Sequence, residues 1–152
     1  MARIAVLVLL LLSAAACESG TEPKTPPLVV YVTGAGVVTA ERGTTADGRL
    51  LLACPYSVTA MATGGATGDA ALWTGATFAF RHQDGRQGSY EMTGEEVAVQ
   101  FGGQALPTGA SATSRAPWYW IWDGPFVMDA SFHYQAASNQ LAGTAVVQLD
   151  CR

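Results

Sequence analysis

Hydrophobic and polar residues alternate along most of this chain from Leu28 onward. A period of two puts successive side chains on opposite faces of a β-strand. The longest such stretch covers residues 50–63, with Ser57, Thr59 and Thr63 on its polar face. The pattern predicts one long, half-buried strand. Its apolar face comprises Leu50, Leu52, Cys54, Tyr56, Val58, Ala60 and Ala62.

Two more alternating segments, 126–135 and 141–151, lie near the end of the sequence. Both place apolar residues at every second position and mostly polar residues between them. Cys54 and Cys151 each lie on the apolar face of their own strand, so a bridge between them would run through a core. The other apolar positions are Phe126, Met128, Ala130, Phe132 and Tyr134 in the first segment, and Leu141, Gly143, Ala145, Val147 and Leu149 in the second.

Turn residues separate the predicted strands. Gln83-Asp84-Gly85-Arg86 contains the Asp-Gly pair that favours a tight hairpin. Asp123-Gly124-Pro125 and Asn139 mark two further turns, and the glycine-rich stretch 63–68 is expected to be a flexible connection. These positions predict short strands joined by turns.

One short helix is predicted after the hairpin. Thr93-Gly94-Glu95-Glu96 matches a capping box, and Gly102 is a helix stop. Val97 and Phe101 are four residues apart, as on one face of a helix. Because Val97, Val99 and Phe101 also alternate, a strand over the same residues remains the alternative.

The first seventeen residues have the layout of an export signal. Met1-Ala2-Arg3 carries a positive charge, and the apolar run of nine residues at 4–12 is too short to span a bilayer as a helix. Small residues then lead into Cys17. This stretch resembles the bacterial lipobox, which implies removal of residues 1–16 and attachment of lipid to the Cys17 thiol. Because the small residues at 14–16 also suit the general signal peptidase, a soluble secreted protein with a spare cysteine remains the alternative.

The other two cysteines favour lipidation. Cys54 and Cys151 remain in the mature chain, and export places them where disulfides form. Their pairing leaves Cys17 for the lipid, with no thiol unexplained. Residues 17–27 are polar and proline-rich after the cysteine and are expected to form a tether. The expected location is the cell envelope, and Glu18 resembles an outer-membrane address if the organism has two membranes.

Residues 28–152 are expected to form one all-β domain, an antiparallel sandwich of about seven to nine strands with one short helix and one disulfide. The domain resembles the immunoglobulin-like superfamily through Cys54, Trp73 and Cys151, a cysteine followed by a tryptophan and a distant cysteine. Trp73 lies nineteen residues past Cys54, and Leu149 stands where that family has a tyrosine. These departures favour a bacterial type of immunoglobulin-like sandwich over an antibody-type domain.

The composition of the chain limits the kinds of partner that it is expected to bind. The net charge is −4, and it becomes −5 when Arg3 is removed with the signal peptide. A chain without a basic surface is not expected to bind nucleic acid or anionic lipid, so contact with a bilayer would come through acyl chains on Cys17. At 49% hydrophobic and 13% charged residues, the chain is too apolar to be disordered.

The sequence contains no catalytic, metal-binding or cofactor-binding motif that we recognise. His82 and His133 are the only histidines, and neither has the ligand spacing of a metal site, so both are expected to be solvated. The sequence has neither a Gly-x-Ser-x-Gly elbow nor a Ser-x-x-Lys pair. We therefore expect a protein that is not an enzyme and needs no cofactor or metal.

The segment Trp118-Tyr119-Trp120-Ile121-Trp122 is unusually rich in aromatic residues. On a strand, the three tryptophans would share one face, with Tyr119 and Ile121 on the other. Such side chains either fill the core on both faces or leave one face exposed, as in surfaces that bind proteins or sugars. The segment is therefore the candidate binding surface.

Two non-catalytic functions follow. The first is a membrane-tethered lipoprotein that contacts a protein partner or serves the structure of the envelope. The second is a carbohydrate-binding module that uses Trp118, Trp120 and Trp122. Exposed tryptophans would favour sugar, whereas exposed Tyr119 and Ile121 would favour a protein partner.

Overall fold

The computed structural model describes residues 24–115, 118–122 and 124–152, with the backbone alone for 118–122. The predicted signal peptide and Cys17 lie outside the described residues. Within them the chain is mostly β-structure, with twelve strands and one helix. Eight strands have five residues or more, and four shorter strands raise the number above the seven to nine expected. The elements are β1 (Val29–Gly34), β2 (Val37–Val38), β3 (Glu41–Thr44), β4 (Leu50–Tyr56), β5 (Val58–Thr63), β6 (Ala70–His82), β7 (Gln87–Thr93), α1 (Gly94–Phe101), β8 (Ala105–Pro107), β9 (Ser111–Thr113), β10 (Trp118–Trp122), β11 (Phe126–Ala136) and β12 (Ala142–Cys151).

The first layer is built around β4 and β5, which follow each other with only Ser57 between them. Their flanking strands form two three-stranded sheets, ordered β10-β4-β3 and β1-β5-β9. Ser114 extends the pairing of β9 with β5 to the junction of β4 and β5, because its hydroxyl accepts the N–H of Val58 at 3.2 Å and its own N–H donates to the Val58 carbonyl at 2.9 Å. The first layer is therefore one curved surface divided into two short sheets.

The predicted strand over residues 50–63 is thus two strands, β4 and β5. Its alternation still holds, since the predicted apolar face is buried at Leu52, Cys54, Tyr56, Val58, Ala60 and Ala62. Leu50 is the exception, because it begins β4 and is 48% exposed.

The second layer is a six-stranded sheet with the path β2-β12-β11-β6-β7, and β8 pairs with β6 beside β7. Its central strands are antiparallel, as expected, and Phe132 and Phe78 line its inner face. β2 instead pairs in parallel with β12, through Val37 and Asp150. The fully antiparallel expectation is wrong at this edge, because the link between β1 and β3 crosses to the second layer for two residues.

Two contacts fix the layers to each other. The predicted disulfide between Cys54 on β4 and Cys151 on β12 is confirmed: it joins fully buried residues whose Cα atoms are 6.0 Å apart. The Tyr134 hydroxyl on β11 accepts the N–H of Val30 on β1 at 3.1 Å. The apolar rows of both layers therefore meet in one core.

Helix α1 forms as the capping box predicts, and the strand alternative is wrong. Thr93 receives the N–H of Glu96 on its hydroxyl, while its own N–H donates to the Glu96 carboxylate at 2.7 Å. Gly102 ends the helix with a φ of 83°. Phe101 is buried against Trp73, with ring centroids 4.9 Å apart, so the helix closes the core beside β6. In the described part of the chain, no helix has the length and apolar character needed to cross a bilayer.

Candidate interaction surfaces

The outward side of β1, β5 and β9 is uncharged, and we call it the neutral face. Tyr31 and Met61 lie side by side in register on it, 54% and 49% exposed. A hydrogen bond of 2.8 Å joins the hydroxyls of Thr59 and Thr113 across the neighbouring strands. The neutral face comprises Val29, Tyr31, Thr33, Thr59, Met61, Thr63, Ser111 and Thr113. Its exposed aromatic and hydroxyl groups suit contact with an uncharged surface.

Strand β10 continues this outward side next to β4. Its backbone pairs Tyr119 with Pro55 and Ile121 with Ala53. Because directly paired residues share a face of a sheet, these two positions lie on the outward face with the half-buried Pro55 and Ala53.

The tryptophan positions of β10 pair with the inward positions of β4. Trp118 is in register with Tyr56, Trp120 with Cys54 and Trp122 with Leu52, and these three β4 residues are buried. The side chains of Trp118–Trp122 lie outside the described residues, so the predicted binding surface is placed here by register only.

The outward side of the second layer is polar. His133 accepts or donates hydrogen bonds of 3.1 Å at both ring nitrogens, to the hydroxyls of Thr77 and Thr144 on the neighbouring strands. Arg81 and Asp129 form an ion pair at 2.9 Å on the same side. These contacts link β6, β11 and β12 across an exposed sheet face. This face carries charged side chains, whereas the neutral face carries none.

His82 is buried, not solvated as expected from the sequence. Only 6% of its side chain is exposed, and its Nδ1 lies 3.1 Å from the Asp84 carboxylate. The N–H of Arg86 donates to the same carboxylate and holds the pKa of Asp84 below its usual value. The burial follows the alternation of β6, because His82 comes two residues after the inward-facing Phe80. The sequence indicated this burial, because His82 follows Phe78 and Phe80 at the same spacing of two residues.

Residues in the described part of the chain line two open cavities that could be considered as sites. One of about 310 Å³ lies at the C-terminal end of α1, between Glu95 and Arg115. The other, of about 230 Å³, lies beside His82 and is bordered by Arg81 and Asp150. Neither brings together the nucleophile, base and anion-binding groups that covalent catalysis needs. No cluster of three metal-binding side chains occurs in residues 24–115 and 124–152.

Asp69 is a buried carboxylate that the sequence did not single out. The Ser138 hydroxyl donates to it at 2.7 Å, and the N–H groups of Ser138 and Ala70 donate at 3.0 and 2.8 Å. These bonds, the Ser138 hydroxyl first, lower the pKa of Asp69. Asp69 therefore joins the start of β6 to the turn after β11 as a structural anchor.

Comparison with solved structures finds a likeness that carries information about the fold. The X-ray structure of the Northeast Structural Genomics Consortium target SoR45 is 13% identical, covers 80% of this chain and 85% of its own, and has a TM-score of 0.54. A Bordetella pertussis protein provisionally named ApaA is 14% identical, with 83% and 94% covered and a TM-score of 0.46, too low to support an argument. No family model matches this chain, and no curated protein does. The likeness to SoR45 shows a related β-rich fold and nothing about function.

Proposed function

We propose that this chain is an exported, lipid-anchored and non-catalytic interaction module of the cell envelope. Removal of residues 1–16 leaves Cys17 at the amino terminus, where acyl chains hold the protein on the bilayer. The proposed tether, residues 17–27, keeps the folded domain off the membrane. Its Pro26 carbonyl accepts the N–H of Gly65 at 2.9 Å, so the nine residues 17–25 set the reach, about 30 Å when extended. The domain then presents one of its two outward faces to a partner.

The observation that carries this proposal is the bridge between Cys54 and Cys151. Disulfides form in the oxidising compartments that exported proteins enter, so the bridge supports export. It also uses two of the three cysteines of the chain, which leaves Cys17 for lipid.

We also propose that the two layers belong to the bacterial immunoglobulin-like type. A disulfide between layers and mostly antiparallel pairing support this assignment. The packing of Trp73 against Phe101 of α1 and the parallel edge of β2 are departures from an antibody-type domain.

The contact surface that we propose is the neutral face extended across Pro55 and Ala53 to the register positions of Tyr119 and Ile121. Uncharged, partly apolar patches are typical of protein contacts. The register favours a protein partner over sugar, because the tryptophan positions pair with buried residues.

The anchor is tested by replacing Cys17 with serine. The native chain should sediment with membranes and incorporate labelled palmitate, whereas the Cys17→Ser protein should appear in the soluble exported fraction. The Cys54→Ser and Cys151→Ser pair is the matched control, because it removes thiols but should leave the label in place. A Cys17→Ser protein that stays on washed membranes would contradict the anchor.

The contact surface is tested by photo-crosslinking in intact cells. A photoreactive residue at position 119 should give a discrete adduct, whereas one at the exposed Thr144 on the opposite outward side should not. Peptides of a second protein in the mass spectrum of the adduct identify a protein partner, and an adduct that a glycosidase shortens identifies a glycan. Equal adducts at both positions would contradict the proposed surface.

A further inference from the structure

Strand β7 forms one edge of the six-stranded sheet. It pairs with β6 over its whole length, and in the described part of the chain no other strand pairs with it. With seven residues it is the longest edge strand there, since the other edge strands have two to six. Edge strands are the places where another strand can extend a sheet.

The hairpin before β7 fixes which backbone groups face outward. The N–H of His82 donates to the carbonyl of Arg86 at 2.8 Å, and the His82 carbonyl accepts the N–H of Gly85 at 3.1 Å, so His82 occupies a hydrogen-bonded position beside the turn. Hydrogen-bonded pairs alternate with non-hydrogen-bonded pairs along an antiparallel ladder. The even-numbered residues of 88–92 therefore bond to β6. The backbone groups of Gln87, Ser89 and Glu91 point away from it.

The residues of β7 include few features that would block the addition of a strand at its edge. Lysine, proline and bulges usually protect such edges. Residues 87–93 contain no lysine or proline, and their pairing with β6 has no register shift. By contrast, β3 carries Glu41 and Arg42 within four residues. The edge strand β1 is also partly covered, because its Val30 N–H donates to Tyr134.

Tyr90 adds apolar surface at this edge. It is in register with Phe78, which is fully buried on the inner face of the sheet, and the ring centroids are 6.3 Å apart. Tyr90 is nevertheless 46% exposed, because it stands on the outermost strand. A strand added beside β7 would cover more of this ring.

We propose that β7 pairs antiparallel with the β7 strand of a second copy of this chain, across a two-fold axis at Ser89. Ser89 then pairs with Ser89 of the second copy, and Gln87 pairs with Glu91 of the second copy. All three outward residues enter hydrogen-bonded pairs, and the two sheets become one continuous sheet. This assembly does not depend on the lipid anchor.

The register at Ser89 is favoured over one centred on Tyr90. The latter would need the outward N–H of Thr93, which already donates to the Glu96 carboxylate at 2.7 Å. The Ser89 register also places the Tyr90 ring opposite Gly88 of the second copy, where the absent side chain leaves room for it.

The charges favour a second copy as the partner. Glu91 is the one charged residue between Gln87 and Thr93. The axis at Ser89 sets its carboxylate against the uncharged amide of Gln87 of the second copy, so no like charges face each other. Residues 87–93 of one copy are therefore complementary to the same residues of the second copy.

Cysteine crosslinking of the exported full chain tests the register. In a hydrogen-bonded pair the two Cα atoms at position 89 are about 5.5 Å apart, which suits a disulfide. Ser89→Cys should therefore give a covalent dimer on a non-reducing gel. Gln87→Cys is the matched control, because its two copies lie about 14 Å apart along the strands and should stay monomeric. No dimer from Ser89→Cys, or equal dimer from both variants, would overturn the proposal.

Sedimentation of purified chains tests the interface without a crosslink. Ser89→Pro removes an outward N–H and no bond to β6, a position at which edge strands tolerate proline. It should weaken dimerisation roughly tenfold or more. Ser89→Val keeps the N–H and should dimerise like the native chain. A monomeric native chain at high concentration, or a Ser89→Pro chain with native affinity, overturns the proposal. If Ser89→Pro does not fold, the crosslinking pair still decides.

Discussion

Cys54 and Cys151 are 97 residues apart in sequence and 6.0 Å apart between Cα atoms, and their bridge joins β4 in one layer to β12 in the other. The bond holds β12 against the buried strand β4 of the other layer. The disulfide therefore closes the larger part of the folded domain into one loop.

Replacing both cysteines by serine should destabilise the domain strongly. In the chain-entropy model a loop of this size contributes up to about 4.7 kcal/mol, and loss of a native disulfide from a small domain costs about 2–5 kcal/mol. Urea denaturation of the double variant and of the native chain measures the difference. The native chain under a strong reductant is the control and should shift by a similar amount. An unchanged midpoint in both would show that the bridge does not stabilise the fold.

Thr93→Ala should lower the free energy of unfolding by about 1 kcal/mol, because α1 loses the hydroxyl that accepts the N–H of Glu96. Thr93→Ser keeps a hydroxyl at the helix start and should stay within a few tenths of a kcal/mol of the native chain. Thermal unfolding of the three chains provides the comparison. Equal losses for alanine and serine would mean that the capping bond is not the cause.

Asp69 should make the domain acid-sensitive. Its pKa in the folded chain lies below the ordinary value of 3.8, mainly because the Ser138 hydroxyl donates to it. A lowered folded pKa means that the stabilisation is complete above the unfolded value and is lost as the pH falls through the folded pKa. The native chain should therefore lose stability below about pH 3.8 as this carboxylate takes up a proton.

Two variants separate this effect from general acid unfolding. Asp69→Asn should be less stable at neutral pH, because its amide would face the donors on Ser138 and Ala70, and it should lose part of the acid dependence. Ser138→Ala should move the acid transition to higher pH, because the pKa of Asp69 rises when this donor is removed. Urea midpoints between pH 7 and pH 2.5 report both effects. An acid profile that is identical in all three chains would exclude Asp69 as a source.

Local patterns in the sequence predicted much of the fold. The alternation along β11 and β12 and the capping box at Thr93 gave correct elements, since each depends on residues that are neighbours in the chain. The pairing of Cys54 with Cys151 was also predictable, because both residues lie on apolar strand faces and no other cysteine follows Cys17. These features can be predicted without knowing the order of the strands in the sheets.

Features set by tertiary contacts were not predicted. β2 has two residues, too few for a periodic signal, and its parallel pairing with β12 depends on where the β1–β3 link crosses. Asp69 looked like an ordinary loop residue, because Ser138 is 69 residues away. His82 was the one missed residue with a local signal, since it continues the inward positions Phe78 and Phe80.

The register of β10 yields a prediction about its two faces. Trp120 is in register with Cys54, whereas Tyr119 and Ile121 are in register with outward-facing Pro55 and Ala53. Trp120→Ala should therefore cost about 3–5 kcal/mol of stability, as expected for a large core side chain. The Tyr119→Ser and Ile121→Ser double variant should unfold within about 1 kcal/mol of the native chain, because surface substitutions cost little.

The double variant at Tyr119 and Ile121 should lose binding to the partner, although its stability should change little. The double variant at Tyr119 and Ile121 should lose the adducts formed in intact cells by a photoreactive residue at Met61, on the neutral face beside it. Met61 is suited to this role because it is 49% exposed and lies outside the substituted strand. Thr77→Ser on the opposite outward side is the control and should retain the adducts. If the double variant unfolds readily while Trp120→Ala stays stable, the tryptophans face outward. The sugar-binding alternative would then replace the protein contact.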